Sequence, residues 1–301
     1  MDQLAAMRGF MRVVETGSFT RAAAVLALPK ATLTKQIQQL EAHLSTRLLN
    51  RTTRRVTVTP DGAAYYERAL ALLNDLEELD GSMSASQANP RGRLRIDLSP
   101  SLAVEVLIPA LPDFLARYPD IQLDVGCTDR PVDLLGENVD CVIRAGEIRD
   151  PSLIARRIGQ VPFLTCAAPS YIAAHGIPRH PSELETEHVV VRYFSEATGR
   201  YFDYEFRRDG EVIEVAGRYR VACNDGVAYL AAGLAGMGVL QAPAFLVAPH
   251  IARGALVSVL GEWDAEPLPI HVVYAPNRHL SNRVRVFVDW VADRFARANL
   301  A

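Results

Sequence analysis

The positive charge of this chain is concentrated in its first sixty residues, and this asymmetry constrains the fold more than any other feature. The segment contains nine basic and three acidic side chains, a formal excess of +6. The whole chain carries −3 at pH 7, so residues 61–301 carry −9. A basic head on an acidic body indicates two parts with different partners. Clustered Lys and Arg side chains favour a polyanion such as DNA, whose phosphates release counterions on binding.

Length and composition exclude several classes of protein. With 301 residues, of which 49% are hydrophobic, the chain is long enough for two or three ordinary globular domains. It has no run of about 18 apolar residues that would predict a transmembrane helix, and its first residues lack the pattern of a signal peptide. We therefore expect a cytoplasmic protein with no membrane partner. The four cysteines are scattered without a Cys-x-x-Cys pair, which favours small buried side chains over the alternative, a redox switch.

The basic segment has the pattern of a helix-turn-helix. Apolar residues at helical spacing predict a first helix over 4–15. Ser18 is a suitable N-cap for a second helix over 19–26, in which three consecutive alanines allow a close helix crossing. A third helix over 30–44 turns its Leu and Ile side chains inward and its Lys, Thr and Gln side chains outward.

A wing and a long helix are predicted next. Residues 47–50 and 56–59 favour two short strands around a strongly basic tip. Pro60 begins a long helix, because proline suits a first helical turn. One face of this helix carries apolar residues at every third or fourth position. They are Tyr66, Ala69, Leu73, Leu76, Leu79 and Met83. We expect this stripe to pair with a second copy of the helix, and the alternative is that the helix packs on the chain's own body.

From residue 92 the pattern changes to alternating strands and helices, which favours an α/β domain with a largely parallel sheet. Strands are predicted over 94–98, 121–127 and 141–144, with a helix over 102–118. The predicted organisation therefore has a winged helix-turn-helix domain, a dimerisation helix with a hinge, and an α/β domain of two subdomains. These are residues 1–59, residues 60–91 and residues 92–301, the last divided into 92–163 with 268–301 and, second, 164–267.

Four motifs in the head resemble the LysR-type transcriptional regulator family. The family's opening helices are similar to F-x-x-V-x-E-x-G-S-F-T-x-A-A at 10–23, and its recognition helix to L-T-K-Q-I-x-x-L-E at 33–41. Its wing and the start of its dimer helix are similar to L-L-x-R-T-x-R at 48–54 and T-x-x-G at 59–62. Beyond these motifs the likeness is in layout and in a few positions.

The resemblance implies a winged helix-turn-helix, a linker helix and an effector domain similar to type 2 periplasmic binding proteins. It also implies a dimer of dimers on double-stranded promoter DNA, with a small molecule between the two effector subdomains. The sequence departs from the family pattern at three positions. Pro29 stands in place of a serine cap, Ser45 in place of a glycine at the helix end, and Leu49 in place of a phenylalanine.

The candidate DNA-binding residues lie on the third helix, at the start of the second helix and in the wing. A helix fits the major groove with its first residues near base edges, where Lys35 can donate to guanine and Ala31 can meet a thymine methyl. Hydroxyls at a helix start can hold phosphate, and arginines in the wing suit an A·T-rich minor groove. The full set is Ser18, Thr20, Lys30, Ala31, Thr34, Lys35, Arg51, Arg54 and Arg55. The alternative for any one of them is an ordinary solvated side chain.

The candidate effector site is expected where strands of the α/β domain end. Ser99, Pro100 and Ser101 follow the first strand and begin a helix, whose hydroxyl and amide groups suit an anion. Thr128 follows the second strand, and Arg144 ends the third. For the second subdomain, the family resemblance suggests Phe194, Asn224 and Gln241 as facing walls. The alternatives are helix capping for the serines and Asn224, a local turn for Thr128, a structural ion pair for Arg144 and core packing for Phe194.

These donors and one positive charge, with no evident lone acceptor, predict a small anionic ligand, most simply a carboxylate. Enzyme motifs for nucleophilic serines, zinc or phosphate loops are absent from the sequence, so no catalytic residue, metal or cofactor is expected. The sequence therefore predicts a DNA-binding transcription regulator that senses a metabolite. The alternative is a DNA-binding repressor or architectural protein whose α/β domain serves only oligomerisation.

Overall fold

The computed structural model describes residues 1–51, 56–83, 90–134, 136–148, 150–276 and 281–297. The chain divides into two units, Met1–Asn89 and Pro90–Ala301. Two wing residues, Arg54 and Arg55, lie outside the described residues, as does much of the predicted linker. Within the described residues, no helix is long and apolar enough to cross a membrane.

The first unit is a winged helix-turn-helix followed by a long helix. Its elements are α1 (Gln3–Thr16), α2 (Phe19–Val25), α3 (Lys30–Leu44), β1 (Leu49–Arg51), β2 (Val56–Val58) and α4 (Pro60–Met83). The two strands pair antiparallel. Phe10, Leu33 and Ile37 are fully buried in the core that these elements share. The predicted head fold is confirmed, with element ends within a few residues of those expected.

Short polar side chains and one glycine set the helix ends in the head. The Asp2 carboxylate accepts a backbone N–H of α1 at 3.0 Å, and Gly17 ends that helix in the left-handed conformation, with φ 62°. The Ser18 hydroxyl accepts a backbone N–H of α2 at 3.4 Å. Pro29 precedes α3 with no side-chain capping hydrogen bond, so α3 lacks the cap that a serine would supply.

The Glu41 carboxylate joins the third helix to the base of the wing. One of its oxygens accepts the N–H groups of Leu48 and Leu49, at 3.0 and 3.1 Å. The Thr59 hydroxyl donates to the backbone just before β1 at 2.7 Å and accepts the Gly62 N–H at 2.9 Å, which begins α4. A side chain at Gly62 would put its Cβ 2.0 Å from the Leu48 carbonyl oxygen. These contacts fix α3, the wing base and the start of α4 relative to one another.

The apolar stripe of α4 packs in part against its own unit. Ala69 and Leu73 are buried, and both belong to the same core as Phe10. The expectation that the whole stripe faces a second copy is therefore wrong for this half of it. The reason is that the helix begins close enough to the head to cover α1. Leu76 is half-buried, and the side chains of Leu79 and Met83 lie outside the described residues.

Ser45 ends α3 in the left-handed conformation, with φ 52° and ψ 29°. This backbone conformation is unfavourable for residues that have a Cβ, so Ser45→Gly should raise the free energy of unfolding by about 1 kcal/mol. Hydrogen exchange of the slowest amides in α3 would measure the change. Ala42→Gly, inside the same helix, is the matched control and should lower the free energy by about 1 kcal/mol. A loss of stability in both variants would contradict strain at Ser45.

The second unit alternates strands and helices. In chain order they are β3 (Gly92–Leu98), α5 (Pro100–Leu102), a π-helical segment (Ala103–Leu107), α6 (Ile108–Arg117), β4 (Ile121–Cys127), β5 (Cys141–Ala145), β6 (Ile154–Val161), β7 (Phe163–Ala167), α7 (Pro169–His175), α8 (Glu183–Thr186), β8 (Val190–Phe194), β9 (Tyr201–Phe202), β10 (Tyr204–Arg208), β11 (Glu211–Val215), β12 (Tyr219–Cys223), α9 (Gly226–Leu234), β13 (Leu240–Pro243), α10 (Ala244–Ala252), β14 (Val257–Ser258), β15 (Leu268–Tyr274) and α11 (Asn282–Arg297).

Five strands form one sheet in the order β4-β3-β5-β15-β6. The strands β4, β3 and β5 run parallel, whereas β15 pairs antiparallel with both β5 and β6. The α5–α6 region and α11 pack on this sheet around the buried rings of Phe114, Phe287 and Trp290. We call this part, built on the five-stranded sheet, the first lobe.

The strands from β7 to β14 form the second lobe, with the helices α7 to α10. Two three-stranded sheets, β12-β8-β9 and β13-β7-β14, are linked by a parallel bridge between Val190 and Val239. The hairpin β10–β11 is added to them. A separate buried cluster fills this lobe and includes Tyr204, Phe206 and Trp263. Each lobe therefore has its own large core among the described residues.

Candidate DNA-binding surface and effector cleft

The outward face of α3 presents two cations that are not engaged elsewhere. Lys30, Ala31 and Lys35 are exposed, and neither lysine forms an ion pair with any residue that the structure describes. Thr34 is less accessible, and its hydroxyl donates to the Lys30 carbonyl at 2.8 Å. The positive charge of this face is therefore available to a polyanion, whereas the Thr34 hydroxyl is used within the helix.

The other candidate DNA contacts differ in how far the structure describes them. Ser18 caps α2, so its hydroxyl has a structural role, and Thr20 in the first turn of α2 is exposed. Arg51 ends β1, but its side chain lies outside the described residues together with Arg54 and Arg55. The described part of this surface is thus the start of α2 and the outward face of α3.

The register of the parallel strands brings three candidate effector residues to one sheet edge. Leu98 in β3 lies opposite Cys127 in β4 and Ile143 in β5. Because these strands run in the same direction, the residues that follow, Ser99, Thr128 and Arg144, lie side by side at their carboxyl ends. This is the place where open α/β sheets collect ligands.

Two helices begin at this edge and come from different lobes. Ser99 precedes α5 and makes no side-chain capping hydrogen bond, with Pro100 as the first helical residue. Ser101 is buried, and its hydroxyl oxygen lies 2.9 Å from the position that a Cβ on Gly226 would occupy. The N-terminus of α9 in the second lobe therefore touches the N-terminus of α5 in the first. Ser99 does not cap its helix, which excludes the alternative of simple capping for this residue.

The Arg144 guanidinium is engaged by an ion pair. It donates to the Asp97 carboxylate at the end of β3 and to the Ile143 carbonyl oxygen, the latter at 3.1 Å. The side chains of Asp97 and Arg144 are only 9% and 17% exposed. Gly126 makes room for the pair, because a Cβ there would lie 2.5 Å from an Asp97 carboxylate oxygen. Arg144 therefore brings no uncompensated charge to the edge, and its partner is Asp97 rather than the nearby Asp140 or Glu147.

The remaining candidates fall into different environments. The Thr128 hydroxyl accepts the Arg130 N–H at 3.2 Å and so supports its own turn, which leaves its proton free to be donated. Phe194 is half-buried at the end of β8, with its ring 5.8 Å from that of Tyr201. Asn224 lies one residue before the cap of α9, which is Asp225.

Gln241 does not line the cleft as a free amide. Its side-chain oxygen accepts the Glu205 N–H at 3.1 Å, and its nitrogen donates to the Glu205 carbonyl at 2.8 Å and to the Thr165 hydroxyl at 3.4 Å. The amide of Gln241 therefore joins β13 to β10 and β7 inside the second lobe. That Gln241 forms a wall of the binding site stays a prediction.

Sequence reasoning missed a carboxylate and a hydroxyl at the same edge. The Asp129 carboxylate accepts the Gly226 N–H at 3.3 Å. Burial raises the pKa of Asp129, while the Gly226 N–H and the nearby Tyr193 hydroxyl act to lower it. Burial also raises the pKa of Tyr193, and the Asp129 charge adds to the rise. The expectation of an edge without a lone acceptor is wrong, although the position of Asp129, directly after Thr128, could have signalled it.

No group of three or more His, Cys, Asp or Glu side chains suited to a metal occurs among the described residues. Cys141 and Cys166 are buried, and burial raises the pKa of both thiols, that of Cys166 to about 12. Cys127 is exposed and Cys223 is partly exposed. The expectation that cysteines serve as buried apolar residues therefore holds for Cys141 and Cys166 only.

The Asp97–Arg144 pair should be important for the stability of the first lobe. Asp97→Ala leaves a buried guanidinium without its partner, so the free energy of unfolding should fall by about 3 kcal/mol. Urea denaturation followed by tryptophan fluorescence measures this, because Trp263 and Trp290 both lie in the second unit. The control is Asp289→Ala, which breaks a solvent-exposed pair with Arg156 and should change little. Equal effects of the two variants would contradict a structural role for the buried pair.

A basic helix-turn-helix head and a two-lobed α/β unit define a DNA-binding regulator with a domain for a small ligand. Residues 4–63 match the family described as "Bacterial regulatory helix-turn-helix protein, lysR family", and residues 87–296 match "LysR substrate binding domain". The chain belongs to the LysR family of transcription regulators. The resemblance found in the head is thereby confirmed.

Curated relatives extend along almost the whole chain. The uncharacterized regulator YhjC of Escherichia coli K12 is 41% identical over 292 residues, which cover 97% of each chain. An HTH-type transcriptional repressor of Pseudomonas aeruginosa is 40% identical and covers 98% of this chain and 93% of its own. The activator AaeR of E. coli K12 is 30% identical over 98% of this chain and 94% of its own. These relatives are regulators and not enzymes, as expected for this chain.

Solved structures share the fold. The full-length virulence activator AphB of Vibrio cholerae aligns with a TM-score of 0.59 and 30% identity, covering 96% of this chain and 98% of that one. The regulator CrgA of Neisseria meningitidis aligns with a TM-score of 0.61 and 31% identity, covering 96% and 97%. The fold class predicted from the sequence is confirmed by these likenesses.

Proposed function

We propose that this LysR-family regulator recognises double-stranded promoter DNA through residues 1–59 and senses a small carboxylate within residues 92–301. Residues 60–91 would supply the dimerisation helix and hinge. Residues 92–163 with 268–301, and residues 164–267, would form the two effector subdomains. Its site of action would be the cytoplasm, where bacterial promoter DNA is found. The single observation that carries the sensing role is that Ser99 and Thr128 lie side by side at the sheet edge where an uncapped helix begins.

The DNA-binding role is supported by the free charge on α3. Lys30 and Lys35 are exposed without a described ion pair, and the short side chain of Ala31 lies between them along the chain. A lysine at the front of a recognition helix can donate to guanine, while lysines and hydroxyls further out hold phosphate. Ser18 and Thr20 at the start of α2, and Arg51, Arg54 and Arg55 in the wing, would complete the contacts.

Lys35→Ala should weaken binding to the best site by about 1–3 kcal/mol and relax the base preference at one position of each half-site. The reason is that Lys35 would read a base rather than a phosphate. Binding to a library of randomised sites measures both quantities. Thr20→Ala is the contrast, since loss of a phosphate contact should weaken every sequence equally. A uniform loss for Lys35→Ala would contradict base reading.

The carboxylate is supported by the donors at the α5 start. With Ser99 not used as a cap, the first amide groups of the helix are available together with the hydroxyls of Ser99, Ser101 and Thr128. Arg144 is neutralised by Asp97, so the attraction would come from hydrogen-bond donors and the helix dipole rather than from a free cation. Phe194 and Asn224 would face the apolar body of the ligand from the second lobe.

Assembly is proposed to begin with a dimer and to reach a tetramer, as the family resemblance implies. Ala69 and Leu73 are buried in the head, so pairing of α4 with a second copy would use its other side chains. Leu72 is 51% exposed and Leu76 is half-buried, so these positions are the described candidates for contact with a second copy. A charged substitution at Leu73 would disturb the head itself, which makes Leu76 the better position for probing assembly.

A panel of small carboxylates, each paired with its uncharged amide, tests the sensing role by thermal shift and calorimetry. A carboxylate at about 100 times its dissociation constant should add about 2.7 kcal/mol to the stability of the full chain. Ser101→Ala should abolish this response and leave DNA binding without ligand intact, whereas Ser258→Ala, at an exposed hydroxyl, should change neither. If no carboxylate binds, or if Ser101→Ala and Thr128→Val respond normally, the site is wrong. An α/β unit that serves only oligomerisation would give no shift with any ligand.

A further inference from the structure

One carboxylate of the first lobe contacts the second lobe. Asp129 follows β4 in the five-stranded sheet, and it accepts the N–H of Gly226, the first residue of α9, at 3.3 Å. The Tyr193 hydroxyl of β8 is close enough to lower the pKa of this carboxylate. The Tyr193 hydroxyl in turn donates to the Asn224 carbonyl at 3.0 Å, so β8 and the start of α9 are linked beneath the same carboxylate.

The environment of Asp129 is unfavourable for a charge that serves stability alone. The residue is half-buried and forms no ion pair with any residue in the described part of the chain. Burial is the largest influence on its pKa and raises it, and the neighbouring Asp225 raises it further. Arg144, whose charge acts to lower this pKa, is already bound to Asp97. A half-buried carboxylate facing a cleft without a cation is typical of functional sites.

The N-terminus of α9 already has its own cap. The Asp225 carboxylate accepts the Ala228 N–H at 2.7 Å, which satisfies one of the first amide groups of the helix. The Gly226 N–H is left for an acceptor from outside the helix, and Asp129 provides it. The second lobe therefore does not need Asp129 to begin α9, and the contact serves to join the lobes.

We propose that Asp129 is a latch that holds the two lobes together in the effector-free protein, and that a bound carboxylate releases it. The release rests on the proposed function, whereas the latch does not. Ser101 and Asp129 both lie beside Gly226. The Ser101 hydroxyl lies next to the position that a Cβ on Gly226 would occupy, and the Asp129 carboxylate accepts the Gly226 N–H. A ligand carboxylate held by Ser99 and Ser101 would lie beside the Asp129 carboxylate. The two negative charges would repel each other, and the Asp129 side chain would turn away from the ligand.

Hydrogen exchange of the full-length protein without any ligand tests the latch. Asp129→Ala removes the acceptor, so peptides that cover the start of α9 and the end of β8 should exchange about tenfold faster than in the unsubstituted protein. Asp129→Asn keeps an acceptor oxygen for the Gly226 N–H and should retain the protection. Asp120→Ala, an exposed carboxylate in the turn before β4, is the matched control and should change neither peptide. Unchanged exchange in Asp129→Ala, or equal acceleration in Asp120→Ala, would overturn the latch.

The release is tested with the carboxylate and amide panel and the same peptides. Binding of a carboxylate should speed exchange at the start of α9 in the unsubstituted protein, and the matching amide should not. Asp129→Asn carries no charge and should bind the carboxylate without this acceleration. A response of Asp129→Asn equal to that of the unsubstituted protein would overturn release by repulsion. If no carboxylate binds at all, the proposed function fails, while the ligand-free exchange still decides the latch.

Discussion

The candidate effector site depends on the parallel pairing of β4, β3 and β5. Shared direction puts the ends of all three strands at one edge, and the register of Leu98 with Cys127 and Ile143 puts Ser99, Thr128 and Arg144 in a row. An antiparallel neighbour would have sent one of these residues to the opposite edge of the sheet. The helix that follows β3 then begins at this edge, so its unpaired amide groups, the hydroxyls and the buried ion pair all follow from strand direction.

The charges at this edge fall into two groups with different roles. The Asp97–Arg144 pair is largely shielded from water and joins β3 to β5. Asp129 is half-buried at the contact between the lobes and forms no ion pair with a described residue. A site that reads a ligand needs groups that lose or gain partners when the ligand arrives. Asp97 and Arg144 are poorly suited to such a change because they already bind each other, whereas Asp129 is well suited to it.

Sequence patterns predicted the head better than the cleft. Local signals define helices α1 to α3, because apolar spacing, the Ser18 cap and Gly17 act within a few residues of one another. Strand ends predicted which residues meet at the sheet edge. The partners of those residues were not predictable, because the Asp97–Arg144 pair joins positions far apart in the chain. The same limit applies to two other long-range contacts. The Gln241 amide is hydrogen-bonded to Glu205, and Leu73 is buried in the core of the head.

The π-helical segment Ala103–Leu107 carries an evolutionary consequence. A π-helical turn holds its hydrogen bond over one residue more than an α-helical turn, so the segment behaves as an inserted residue accommodated within a continuous helix. Loss of one residue here would let the helix run as regular α-structure from Pro100. Every position after it, including the buried Phe114, would then keep the face it presents, whereas loss of a residue from a regular α-helical turn would rotate the later positions by about 100° around the axis. Length changes between homologous proteins in this helix should therefore fall within the segment or be compensated nearby.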